Sequence, residues 1–134
     1  MVNKFFKKII AKDQQGINTI SAICSESNIK INNIKFLKKN QIFLLLLERL
    51  SKESSSKEKK INSILKFEYI SASKSKNIDQ NDRDEIIELI SINLFKKNQN
   101  YEITLLFLNN IIITLTAEII EVTLEDQKIN DKNY

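Results

Sequence analysis

From Ile29 to Leu124 the apolar side chains recur mostly at every second residue, and only one segment before them recurs with the period of a helix. This pattern constrains the fold more than any other feature of the chain. A period of two belongs to strands, whose side chains point alternately to opposite faces. Parallel strands need a crossover of a dozen or more residues between them, usually helical. One helix cannot supply a set of crossovers, so the sheet is expected to be mainly antiparallel.

The helix is expected after Asp13, whose side-chain oxygen suits an N-cap. Ile17, Ile20 and Cys24 follow at spacings of three and four, with Ile23 beside them, and make one apolar stripe. Before it, Lys4 to Ile10 reads as a short strand or an extended lead-in. After it, IKINNIKFL and IFLLLLERL read as two strands joined by a polar turn at Lys38 to Gln41. The second is apolar on both faces, as expected of a central strand covered on each side. Residues 51–60, SKESSSKEKK, are expected to form a flexible charged loop, and residues 127–134 a polar tail. ILKFEYIS alternates, with Leu65, Phe67 and Tyr69 on one expected face. A polar loop, SKSKNIDQNDRD, then leads to strands in IIELISINLF and YEITLLFL. Asn109-Asn110 makes a tight turn, because Asn tolerates the left-handed backbone conformation better than other non-glycine residues. Beyond it the apolar parity switches between Ala117 and Ile120. A bulge near Ala117 to Ile119 is preferred as the explanation; a short helix from Ala117 is the alternative.

These elements give an α+β expectation: an N-terminal helix packed on a mainly antiparallel, strongly bent sheet of about six strands, in outline a half-open barrel of the pleckstrin-homology type. At 134 residues the chain is expected to be a single domain spanning 1–134.

Composition narrows function by exclusion. The chain has no His, which removes imidazole bases, His-based triads and His metal ligands. Its one glycine, Gly16, cannot make a Gly-rich phosphate loop. Cys24, the single cysteine, permits no internal disulfide or CxxC site, and on an apolar helix stripe it reads as a small core residue. The longest apolar run, Ile42 to Leu47, is far short of the roughly 20 residues of a membrane span, and MVNKFFKKIIAK lacks the apolar region of a secretory signal. A cytoplasmic location with a reduced thiol is expected. The formal net charge of +4 comes from many Lys and only two Arg, Arg49 and Arg83. Lys, Ile and Asn codons are rich in A and T, so base bias accounts for much of the lysine content. Scarcity of Arg also argues against base-specific nucleic-acid readout.

Several short patterns recur in a familiar order. Asp13 leads a helix that ends in Ser21-Ala22; a strand closes on Glu48-Arg49-Leu50; Ser75-Lys76-Asn77-Ile78-Asp79 makes a basic turn. Phe107, Asn109-Asn110, Ile113 with Leu115, Glu118 with Glu121, and Leu124 with Asp126 complete the series. Over about Ile10 to Asp126 the chain resembles domain of unknown function 2948, a family of small cytoplasmic proteins typical of alphaproteobacteria. Where that family has Gly in the basic turn, this chain has Asn77, which suits a left-handed backbone position. The resemblance implies the fold and location above and brings no established activity.

Three groups of residues are candidates for a site. Lys74, Lys76 and Arg83, with Lys57, Lys59 and Lys60, could contact a phosphate or an acidic partner. Glu48 and Arg49 end an otherwise apolar strand, where charges need partners; a structural cluster of Glu48, Arg49 and Glu118 is expected. Glu118, Glu121, Glu125 and Asp126 could act as metal ligands or acid/base groups, but on an extended edge segment they read as solvated and non-catalytic. No cofactor, metal or membrane contact is expected. The leading expectation is a non-catalytic adaptor that binds another cytoplasmic protein through its sheet. Weak RNA or ribosome association through Lys-rich loops is the alternative, and a carboxylate-based enzyme is third.

Overall fold

A computed structural model describes residues 7–51 and 59–127. After β1 (Lys8–Ala11), Asp13 caps α1 (Gln14–Cys24): its Oδ1 accepts the Gly16 N–H at 2.8 Å. Ile17, Ile20 and Cys24 are fully buried, as their spacing requires. Gly16 is there for room. A Cβ at that position would stand 2.7 Å from the Ala11 Cβ, so any larger residue would push the helix off β1.

The strands that follow are β2 (Asn28–Lys30), β3 (Ile34–Leu37), β4 (Ile42–Ser51), β5 (Lys59–Phe67), β6 (Ile70–Lys76), β7 (Ile86–Lys97), β8 (Asn100–Phe107), β9 (Ile111–Ala117) and β10 (Val122–Asp126). All pairs are antiparallel, in the order β1-β10-β5-β4-β2-β7-β8-β9-β6, with β3 also on β4. Among the described residues the fold is α+β with one α-helix, as expected, but the sheet has ten strands instead of about six.

The difference has one physical cause. At three places where the buried parity changes a strand ends, whereas within β7 the change from Leu89 to Ile92 is taken up by an irregularity in the pairing with β8. In IKINNIKFL the inward residues are Ile29 and Ile31, then Ile34 and Phe36, and a 3-10 turn at Ile31–Asn33 divides the expected single strand into β2 and β3. In ILKFEYIS, Leu65 and Phe67 face the core but the next buried residue is Ile70. Tyr69 therefore does not share their face; it is 39% exposed with φ of 61°, at the bend between β5 and β6. Between Ala117 and Val122 there is neither a bulge within one strand nor a helix. Residues 118–121 are a bend that takes the chain from β9 to β10.

These two bends lie side by side. The Glu68 N–H donates to the Glu121 carbonyl at 3.0 Å, and the Glu118 N–H to the Tyr69 carbonyl at 3.0 Å. So β5–β6 and β9–β10 turn the same corner together, and the sheet folds over a shared core while α1 packs on β7 and β1. The Ser21 hydroxyl accepts the Ile92 N–H at 2.9 Å, next to an irregularity in the β7–β8 pairing between Leu89 and Ser91. The sheet does not close: among the described residues β1, β3 and β6 each have a single partner strand. β4 is covered on one face only. Phe43, Leu45 and Leu47 are buried, but Leu46 on the opposite face is 40% exposed, because no second layer covers that side.

Candidate functional site

The unclosed part of the sheet lies between the edges of β3 and β6. Ser73 and Ser75 of β6 and Ile34 and Phe36 of β3 line its two sides, over a floor of Phe43 and Ile113. Ile31, Ile78, Gln80 and Arg83 complete the lining of this cavity, which has a volume of about 150 Å³. Ligand pockets usually run from ~300 to ~1,000 Å³, so this one suits a single aliphatic side chain better than a cofactor. Phe43 is held by ring contacts to Phe36 and Phe67, each with centroids 6.2 Å apart.

Alternation along β6 sends Lys74 and Lys76 to the outer face, opposite Thr114 and Ile112 of β9. Lys35 lies outward on β3 in the same way. Among the described residues none of these three lysines is in an ion pair. β6 ends at Asn77, whose φ of 67° is left-handed, as the family turn implied. Its Nδ2 donates to the Asn110 carbonyl at 2.7 Å. Asn109 and Asn110, with φ of 67° and 61°, make the expected turn between β8 and β9. Arg83 donates to the Asn32 Oδ1 at 3.3 and 3.2 Å, which ties the 77–85 connection to the turn between β2 and β3.

The sequence candidates therefore separate. Lys74, Lys76 and Arg83 gather around this seam. Lys59 and Lys60 are exposed at the start of β5, beside Ser51 and Leu50 of β4, at the other end of the bent β5–β6 strand. Lys57 lies outside the described residues. The cluster of Glu48, Arg49 and Glu118 does not form. Glu48 is on the outer face beside Asn62 and Asn28, and Glu118 is exposed at the corner.

Arg49 turns inward and meets Asp126. Its Nε donates to Oδ1 at 2.9 Å and its Nη2 to Oδ2 at 2.6 Å, with the two side chains 2% and 0% exposed. Ser63 donates to Oδ1 at 2.6 Å and the Lys7 N–H to Oδ2 at 2.7 Å. The signal for this partner lay in the parity of Ile120, Val122 and Leu124, whose next member is Asp126. Burial pushes the Asp126 carboxyl up, yet the hydrogen bonds from Arg49, Ser63 and Lys7 outweigh it and hold the group below its ordinary value of 3.8. Such a carboxylate is a poor proton acceptor near neutrality. Cys24 lies close enough to feel both charges, but burial pushes its thiol up to about 12, which leaves no thiolate for chemistry. Glu121 and Glu125 point away from this cluster, and among the described residues no three Cys, Asp or Glu side chains are placed to hold a metal.

Two segments that carry the family resemblance, Glu48-Arg49-Leu50 and Leu124 with Asp126, thus supply the buried pair. Two more, Ser75 to Asp79 and Asn109-Asn110, meet at the end of the seam. No helix among the described residues is long and apolar enough to cross a membrane. No curated protein and no solved structure matches the chain. The family model described as protein of unknown function (DUF2948) matches residues 7–133, nearly the whole chain, and the protein belongs to that family.

Proposed function

We propose that this is a non-catalytic cytoplasmic binding module that takes up an extended segment of another protein along β6. ILKFEYIS spans the end of β5 and the start of β6, and the two parts differ as edges. Its β5 part is paired on both sides with β4 and β10, whereas β6, among the described residues, is paired with β9 alone; of its other edge, the Ile70 N–H donates to the Gln41 carbonyl at 2.9 Å. The observation that carries the reading is that this edge runs beside an apolar cavity of about one side chain's size. In strand addition, main-chain hydrogen bonds give affinity and pockets for alternate side chains give specificity. A half-open barrel of the pleckstrin-homology type is part of the proposal, since incomplete closure is what leaves the edge and its pocket accessible.

Filling the pocket tests this. Ser73→Phe should place a ring in the cavity and leave the fold intact, checked by thermal unfolding. Partners recovered by affinity purification should be lost with this variant, and a protein retained equally by both forms would count against docking at the seam. RNA association through the outward lysines is the second reading, favoured by their having no ion pair among the described residues. It predicts binding that falls steeply with salt and is indifferent to Ser73→Phe.

A further inference from the structure

The two faces of β6 specify different things about a strand laid beside it. An added strand continues the pleat, so its side chains alternate between the face of Ser73 and Ser75 and the face of Lys74 and Lys76. Small serines on the inner face leave the cavity free for an incoming apolar residue. On the outer face, cross-strand neighbours stand roughly 4.5–5.5 Å apart at Cβ, where opposite charges attract and like charges repel. We infer that the seam takes an extended peptide in which acidic and apolar residues alternate, and that the same lysines exclude a second copy of this chain. The inference rests on the docking reading above and names its partner chemistry.

Charge complementarity supports the acidic choice. Lys74 and Lys76 on one rim and Lys35 on the other are outward cations without an ion-pair partner among the described residues. Lysines on an edge strand guard against unwanted pairing. A second β6 would bring its own lysines against Lys74 and Lys76, whereas an acidic strand would neutralise them. The acidic stretch is bounded in length, because Asp79, Asp82 and Asp84 lie past Asn77 and would repel a longer one.

The probes are labelled hexapeptides of alternating Glu and Ile, Ser and Ile, or Lys and Ile, titrated against the full chain by fluorescence anisotropy. The Glu–Ile peptide should bind about fivefold tighter than Ser–Ile, and Lys–Ile weakest. Its affinity should fall severalfold between ~50 and ~300 mM salt. Lys74→Glu with Lys76→Glu should reverse the order in favour of Lys–Ile, with an unchanged thermal midpoint as the control for folding. Ser–Ile binding as tightly as Glu–Ile, with both lost in Ser73→Phe, would leave docking standing and overturn acidic selection. Failure of all three peptides at millimolar concentration would overturn both. Polyuridine that competes with the Glu–Ile peptide and binds Ser73→Phe undiminished would assign the lysines to RNA instead. Dimerisation of the free chain through β6, seen by sedimentation and abolished by the charge swap, would overturn the exclusion of a second copy.

Discussion

Arg49 and Lys76 are cations on strands of one sheet, and the molecule treats them in opposite ways. Arg49 points inward, is almost fully buried and is held by both oxygens of Asp126. Lys76 points outward at an edge, with no ion pair among the described residues. The cost of desolvating a charge explains the contrast. A buried guanidinium must be matched where it lies, and here the match joins β4, β5 and β10 through Arg49, Ser63 and Asp126. An exposed ammonium is solvated already and stays available to an outside partner. The buried charge is thus satisfied within the fold, and the outer one, among the described residues, has no ion pair to satisfy it.

The largest break in this comparison should come from Asp126→Leu. With Arg49 left buried, urea unfolding should show a loss of about 3–5 kcal/mol, and Arg49→Met added to it should restore most of that loss. Equal stability of the single variant and the wild type would mean that the pair does not hold the core. Gly16→Ala comes next. Its Cβ would meet Ala11 at 2.7 Å, so the start of α1 should shift at a cost of about 1–3 kcal/mol. Labelling of Cys24 by a thiol reagent should quicken in parallel; unchanged labelling and stability would show that the helix accommodates the methyl group.

Acid sharpens the comparison further. Asp126 has its carboxyl lowered in the folded state, so its contribution is fully present above the ordinary carboxylate value and is lost as pH falls through the lowered one. Stability followed from pH 7 to about pH 2 should therefore drop less in Arg49→Met with Asp126→Leu than in the wild type. An equal drop would place the acid sensitivity in other carboxylates. The smallest effect belongs to the outer charges: Lys74→Gln with Lys76→Gln should change stability by less than about 0.5 kcal/mol. A larger loss in a melting curve would make these lysines structural and undo the contrast.

Much of the fold was legible because its causes are local. The cap of Asp13, the stripe of Ile17, Ile20 and Cys24, and the left-handed Asn77, Asn109 and Asn110 depend on neighbours within a few residues. The strand count was not legible in the same way. Parity switches at Ile31 to Ile34, at Phe67 to Ile70 and at Ala117 to Ile120 were visible, but a switch alone does not say whether a strand bulges or leaves for a new partner. For the same reason Tyr69 could be read onto the wrong face.

The sequence by itself determined an α+β chain of alternating strands with one helix, Asn-built turns, and no imidazole or glycine loop for common catalytic designs. Only the tertiary structure decided that Arg49 meets Asp126, 77 residues away, instead of Glu118, and that Lys7 reaches the same carboxylate across 119 residues. It also decided that β6, not β5, has among the described residues a single partner strand and lines a cavity. Strand alternation fixes which way a side chain points, but its partner depends on which distant strands come together, and no short stretch of sequence encodes that.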